Sequence, residues 1–263
     1  MTIHEEMTPP GLCKAAEWCQ YKLTPAAETA LPQTVSLSFH RFSGVRARLW
    51  ALGMMARARA PLAATPGIGF WKLCGAGKGH GFRATLFPDT IAILATWDDA
   101  GTAAQQTQAA PVFARYAARA AESYTVLLTP IAARGAWSGK APFRPEPATG
   151  GPLAALTRAT VRPRSLARFW ARVPRLDTLI GHDPNVLFRI GIGEVPMLQQ
   201  VTFSVWPDEA AMDAYARTGP HAEAIRAVRR EGWFREELYA RFRVLSARGT
   251  WGGVAPLSQP ETA

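Results

Sequence analysis

Cysteine is scarce in this chain. Its 263 residues hold three, Cys13, Cys19 and Cys74, too few and too unevenly spaced for a disulfide framework or a zinc site. Lysine is scarce too. Of 30 basic residues only Lys14, Lys22, Lys72, Lys78 and Lys140 are lysine. The rest are arginines, which keep their charge and suit partly buried or anion-facing positions. Long apolar runs are missing. The longest clean one, Thr90 to Trp97, has the length of a strand and not of a membrane span. Met1 to Pro10 carries His4, Glu5 and Glu6 and lacks the apolar centre of a secretory leader. These absences lead to the expectation of a soluble, reducing, cytoplasmic setting. Acids number 20, which leaves a net charge of +10 and a pI near 10.1. The arginines are spread along the chain and no nucleic-acid motif occurs, so nucleic acid is not expected as a partner.

Several cofactor motifs are also absent. Gly75-Ala-Gly-Lys-Gly-His-Gly81 is glycine-rich but lacks the G-x-G-x-x-G spacing, and it runs toward Phe87-Pro88 instead of a helix. Ser138-Gly139-Lys140 has no Ser or Thr after the lysine, so it is no P-loop. His221-Ala-Glu223 echoes a zinc-deaminase start without the Pro-Cys-x-x-Cys that must follow. No H-E-x-x-H or G-x-S-x-G occurs. Electrons for any redox chemistry must therefore come from outside the chain.

An internal repeat is present. Arg48-Leu49-Trp50 recurs as Arg168-Phe169-Trp170, and Cys74-Gly-Ala-Gly77 as Ile190-Gly-Ile-Gly193. Leu94-Ala-Thr-Trp-Asp-Asp99 matches Phe203-Ser-Val-Trp-Pro-Asp208. Ala133-Arg-Gly-Ala-Trp-Ser-Gly139 matches Ala247-Arg-Gly-Thr-Trp-Gly-Gly253. Each half reads strand, helix, strand, strand, helix, strand. In the second these fall near 154–162, 165–180, 185–191, 199–206, 208–230 and 236–246. The acids after Trp97 and Trp206 suit helix N-termini. This is the order of the ferredoxin-like split βαβ unit. The expected fold is α+β, two tandem ferredoxin-like repeats packed sheet to sheet, like a dimeric α+β barrel. Residues 1–33 read as an extension, 34–139 as the first half and 140–152 as a proline-rich linker. Residues 153–253 form the second half and 254–263 a tail.

The segments Thr34 to Phe42, Glu122 to Leu128, Ala154 to Val161 and Gly191 to Pro196 resemble the spheroidene monooxygenase family, the carotenoid 2-ketolases of phototrophic bacteria. The strongest likeness is Gln200-Val-Thr-Phe-Ser-Val-Trp-Pro-Asp208, followed by Gly219-Pro-His221 and Glu236-Glu-Leu-Tyr-Ala-Arg-Phe242. It runs in order from about residue 34 to 253. The resemblance implies an O2-dependent enzyme that makes a ketone at C-2 of acyclic carotenoids such as spheroidene by two successive hydroxylations. It also implies haem b and a reduced ferredoxin-type electron donor. In fold it implies kinship with dimeric α+β barrel proteins, among them small monooxygenases, chlorite dismutases and aldoxime dehydratases.

A haem needs an axial ligand. The histidines are His4, His40, His80, His182 and His221. His4 falls in the extension, His80 in the glycine-rich loop, His182 in a turn, and His40 ends the first strand. His221 follows Gly219-Pro220, a helix restart with proline early. The repeat matches Pro220 to Pro111, so His221 stands where the first half has Val112. That makes His221 the first choice as metal ligand; a helix-start histidine bonded locally is the alternative. In the last strand Leu238, Ala240, Phe242 and Val244 form an apolar face, expected to pack on helices. Tyr239, Arg241 and Arg243 are expected to point into the inter-sheet space. Matching Tyr239 to Tyr124 sets Val126 and Leu128 against the two arginines. A buried arginine needs a partner, which haem propionates or a polar group beside the reaction site would supply. Arg241 is assigned the catalytic role and Arg243 a cofactor contact; arginines meeting solvent or loop acids are the equal alternative.

A long apolar polyene needs a deep apolar groove. Phe188, Trp233, Trp71 and Phe234 are the candidate liners. Trp50, Trp97, Trp137, Trp170, Trp206 and Trp251 recur in both halves and read as scaffold. With no span, the chain is expected to meet the inner or photosynthetic membrane peripherally, aided by its positive charge. Two other readings stay open: a cofactor-free or differently liganded barrel monooxygenase, and a non-enzymatic haem- or carotenoid-binding protein.

Overall fold

The computed structural model describes residues 31–76, 88–181, 183–217, 223, 226–228 and 230–257, with backbone alone for 172–179 and 217. The chain divides into two compact units, Met1–Ala30 and Leu31–Ala263, and only the second is described. Its first half runs β1 (Thr34–Arg41), α1 (Val45–Arg57), α2 (Arg59–Ala63), β2 (Ile68–Ala76), β3 (Thr90–Trp97), α3 (Ala100–Ala109), α4 (Pro111–Arg119) and β4 (Glu122–Gly135). The second runs β5 (Leu153–Val161), α5 (Leu166–Gly181), β6 (Phe188–Val195), β7 (Gln199–Trp206), α6 (Glu209–Arg217) and β8 (Phe234–Gly249).

The strands close into one antiparallel barrel in the order β1-β3-β2-β6-β7-β5-β8-β4. Read from the β4 edge, the first four lie β4-β1-β3-β2; the last four lie β8-β5-β7-β6. The order is the same. The inner faces of both sets meet in one core that includes Val35, Leu37, Phe39, Val126, Leu156, Phe188, Phe203 and Phe242. The sets also join edge to edge, β2 to β6 at Gly75↔Gly193 and β4 to β8 from Tyr124↔Gly249 to Gly135↔Leu238. Each described strand thus has a neighbour on both sides, with β2 and β6 meeting at two residue pairs only.

Local chemistry sets the element ends. Asp99 caps α3, its carboxylate accepting from the Thr102 amide at 2.8 Å. Asp208 does the same for α6 through the Ala211 amide at 2.8 Å. The matched tryptophans behave as scaffold: the Trp97 and Trp206 indoles are buried and donate to Ser36 and Ser204. Trp137 and Trp251 close matching turns, bridged to Lys140 and Val254, and both pack on the barrel core. The linker is docked. Phe143 is buried edge-on to Phe242 at 5.1 Å. Buried Gln33 donates to the Pro142 carbonyl and accepts from the Arg144 amide, so the end of the presumed extension is part of the core.

The outward face of β1 carries Ser36, Ser38 and His40. His40 is buried, its Nδ1 2.9 Å from the Ser123 hydroxyl and its ring stacked on Tyr116 at 5.5 Å. Burial, then the Arg248 charge, lowers its pKa to about 4. The unfolded chain therefore takes up this proton first as pH falls, so stability is full above about 6.5 and declines toward 4. The shift corresponds to about 3 kcal/mol once fully lost. His40→Leu is expected to flatten the stability profile between pH 6.5 and 5, measured by denaturant midpoints; an unchanged slope would place the titration elsewhere.

Candidate active-site cavity

Each set of strands carries a helix layer on its outer face, and the two layers differ. In the first half that space is filled by Phe42, Ile93, Trp97, Phe113, Tyr116 and Leu127, all buried in one cluster. In the second half, among the described residues, the buried cluster consists of Leu153, Ile180, Trp206 and Met212. Beside it lies a cavity of about 480 Å³. Its sheet wall includes Ala155, Thr157, Thr202, Ser204, Tyr239 and Arg241. Its helix wall includes Phe169, Ile180, Met212, Tyr215 and Val228, and Phe234 also lines it.

Strand register shows why the layers differ. Thr34 pairs with Trp97 as Leu153 pairs with Trp206. On this alignment Thr202 stands where the first half has Ile93, and Ser204 where it has Ala95. Ser36 faces Leu127 while Ala155 faces Arg241, so Arg241 takes the place of a core leucine. A wall that was apolar has gained hydroxyls and one guanidinium.

This register corrects the face assigned to β8. Leu238, Ala240 and Phe242 point into the barrel core, and Tyr239 and Arg241 point to the helix layer. Arg241 and Arg243 match Leu127 and Thr129, one residue away from the expected Val126 and Leu128. A slip of one residue inverts every side chain. The physical reason is closure. The middle of the barrel is filled by apolar side chains from all sides and takes the apolar face, while the helix layer beside the cavity holds the charge.

Arg241 is about one-third exposed. It donates to Glu209 of α6 at 2.6 Å and Asp213 of α6 at 3.0 Å. Its partners are thus acids on a helix. Arg134 lies 4.6 Å over the Tyr239 ring, and the Tyr239 hydroxyl donates to Glu237 at 3.0 Å. Arg243 donates to the Gly151 carbonyl at 3.3 Å. Its Nε is buried without a partner among the described residues, and it does not line the cavity.

The expected aromatic liners are not brought together. Phe188 sits in the barrel core against Phe39 and Tyr124. Trp71 packs on the first-half helix layer under Arg59. Trp233 is buried and donates to Glu231 at 2.9 Å. Phe234 does reach the cavity. His221, His4, His80 and His182 lie outside the described residues. Phe169, Met212 and Tyr215 were not among the candidates. The signal that could have found the wall is the contrast of Thr202 and Ser204 with Ile93 and Ala95. Among the described residues no group of three or more His, Cys, Asp or Glu is placed to hold a bare metal ion.

A spheroidene monooxygenase of Cereibacter sphaeroides is 48% identical over 235 residues, 88% of this chain and 72% of that protein. One of Rhodobacter capsulatus is 46% identical over 228 residues, 85% of this chain and 95% of its own. No protein-family model matches the chain. Among solved structures, an aldoxime dehydratase covers 83% of each chain with a TM-score of 0.58 at 14% identity, which is a likeness of fold.

Proposed function

The chain belongs to the spheroidene monooxygenase family, and from that premise we propose that this monooxygenase oxidises C-2 of an acyclic carotenoid of the spheroidene type in the second-half cavity. Each hydroxylation puts one atom of O2 into a C–H bond. The other atom leaves as water, using two protons and two electrons from a reduced ferredoxin-type donor. A second hydroxylation at the same carbon gives a geminal diol, which loses water to leave the ketone. The matching strand orders support reading the chain as two tandem copies of one ferredoxin-like unit, of which the second carries the site.

The observation that carries this reading is the cavity in one helix layer where the other layer is filled. Its volume falls within the roughly 300–1,000 Å³ of cofactor and ligand sites. The residues suit a haem: apolar walls for a macrocycle, with Arg241 and Arg134 on the wall for its carboxylates. For Arg241 this means exchanging Glu209 or Asp213 for a propionate. When bound, a haem supplies reductive activation of O2. His221 is proposed as its ligand. Val112, its match in the repeat, is 2% exposed and packs in the first-half layer beside Phe113 and Tyr116. In the sequence match His221 takes the place of this residue. The carotenoid is much longer than the cavity, so only its C-2 end need enter. Thr157, Thr202 and Ser204 then offer hydroxyls that can orient it, and Phe169 and Phe234 exclude water.

The test is an absorption spectrum of the purified full chain, reduced and exposed to CO, together with turnover of spheroidene with O2 and reduced ferredoxin. A Soret band and a 2-keto product are expected. Product without a Soret band would favour a cofactor-free or differently liganded monooxygenase. A band without product would favour a haem carrier.

A further inference from the structure

The β6–β7 turn exposes apolar surface at Val195 and Met197, 41% and 45% accessible, with Pro196 exposed between them. Met197 also has φ of 65°, a left-handed conformation that non-glycine residues adopt rarely. An exposed apolar side chain on a strained backbone is a double cost at one residue, and such positions concentrate where function holds them. This turn is held firmly. The Leu198 amide donates to the Pro196 carbonyl at 2.8 Å and the Val161 amide to the Leu198 carbonyl at 2.8 Å. The Trp170 indole of α5 donates to the Met197 carbonyl at 3.1 Å.

From Trp170 the aromatic contacts lead inward. Its ring meets Phe169 edge-on at 5.5 Å, and Phe169 meets Phe234 at 6.1 Å. Both phenylalanines line the cavity. The surroundings are basic. The segment leading into α5 holds Arg162, Arg164 and Arg168 and no acid. Arg164, Arg230 and Arg235 are exposed, and Arg168 is 68% exposed at its side chain. The acid facing Arg168 and Arg230 is Glu231, at 3.4 and 3.6 Å.

We propose that the Val195-Pro196-Met197 lip docks the chain on a bilayer containing anionic lipid. The arginines around it meet headgroup phosphates, and the carotenoid end passes along Trp170, Phe169 and Phe234 into the cavity. This rests on the carotenoid reading above. Apolar tips flanked by arginine suit the headgroup–acyl boundary, and each basic residue at an anionic surface adds to the attraction. A competing surface exists on α1, where Val45, Leu49 and Leu52 are exposed on one stripe beside Arg46 and Arg48.

The experiment is sedimentation of the full chain with vesicles of phosphatidylglycerol and phosphatidylcholine in equal parts, with pure phosphatidylcholine as reference. Binding to the mixed vesicles that weakens with salt is expected. Val195→Ser/Met197→Asn and, separately, Arg164→Glu/Arg168→Glu should each lower the partition coefficient by about tenfold or more. Leu49→Ser/Leu52→Ser should leave it unchanged. The proposal is overturned if wild type ignores the mixed vesicles, or if only the α1 variant loses binding. It is also overturned if the lip variant shifts the oligomeric state in gel filtration without lipid, which would make the lip an interface between copies. Vesicle binding is scored without substrate. Binding with no carotenoid turnover would therefore count against the functional reading alone. Turnover of detergent-dispersed substrate with no vesicle binding would sink the docking alone.

Discussion

His221→Ala is expected to remove the Soret band of the reduced, CO-treated protein and to abolish carotenoid oxidation. The loss should exceed the roughly 100-fold that removing a ligand's hydrogen-bond partner costs, because the ligand itself is gone. The argument runs through the repeat. Pro111 opens α4 at its first position, and Val112 after it is buried in a filled layer. In the sequence match Pro220 corresponds to Pro111 and His221 to Val112. The second half also turns the sheet positions from Ile93 and Leu127 into Thr202 and Arg241. A cavity and a polar wall stand in the second half where the first half is filled and apolar, and the sequence match sets a ligand-competent residue against Val112. His221→Gly should regain part of the band with added imidazole, which a merely misfolded variant would not do. A wild-type band in His221→Ala would move the ligand to His40 or His182. The His40 ring is stacked on Tyr116 with Nδ1 engaged by Ser123, and its Nε2 is buried without a partner among the described residues.

Much of the fold was legible because its signals are local and occur twice. The strand expected at 199–206 is β7. Both acid caps after Trp97 and Trp206 form as expected. The fold class follows from element order alone. The face of β8 was not legible in the same way. Alternation shows that Leu238, Ala240 and Phe242 share a side, but nothing in one strand says which side is the barrel. That depends on β4 and β5 pairing far along the chain, and on a match between halves that is correct to the residue. Matching Tyr239 to Tyr124 sets the two halves one residue out of step; the strand register makes Thr125 the counterpart of Tyr239, since Ser38 faces Thr125 as Thr157 faces Tyr239. Phe188 and Trp71 lie away from the cavity for a related reason. Aromatic residues at strand positions are core more often than site, and Phe188 became part of the barrel. Cavity walls made of Ala, Thr and Ser carry little signal in a single sequence, and they emerge only when one half is set against the other.

Arg158→Met should be the most destabilising substitution in the barrel core. Arg158 lies on the inward face of β5, in the register place held in β1 by Phe39, and its side chain is 1% exposed. It is paired with Glu236, lies 3.9 Å from Glu194, and sits over the Trp137 ring at 5.7 Å. Glu194 is shared with Lys72 at 2.8 Å and with the Trp137 indole. Burial pushes the Glu236 carboxyl up, but the Gly139 and Ser138 amides with the Arg158 guanidinium outweigh it and hold it below the usual range. Removing the arginine leaves Glu236 without this cation; breaking a fully buried pair costs about 3–5 kcal/mol, and because Glu236 is only part-buried the cost here falls at about 3 kcal/mol. For a chain of this size that is a fall in Tm of about 10 °C. The deficit should shrink in acid. A carboxylate held low stabilises the fold above its unfolded pKa and loses that contribution as pH falls through its folded value. Without Arg158 there is less to lose. Glu236→Gln added to Arg158→Met removes the stranded charge but keeps an oxygen for only one of the Ser138 and Gly139 amides, which bond different carboxylate oxygens, so it should recover part of the loss. Equal guanidinium midpoints for wild type and Arg158→Met would mean that the ion pair contributes nothing net. A double variant no better than the single would mean that lost packing on Trp137, and not stranded charge, sets the cost.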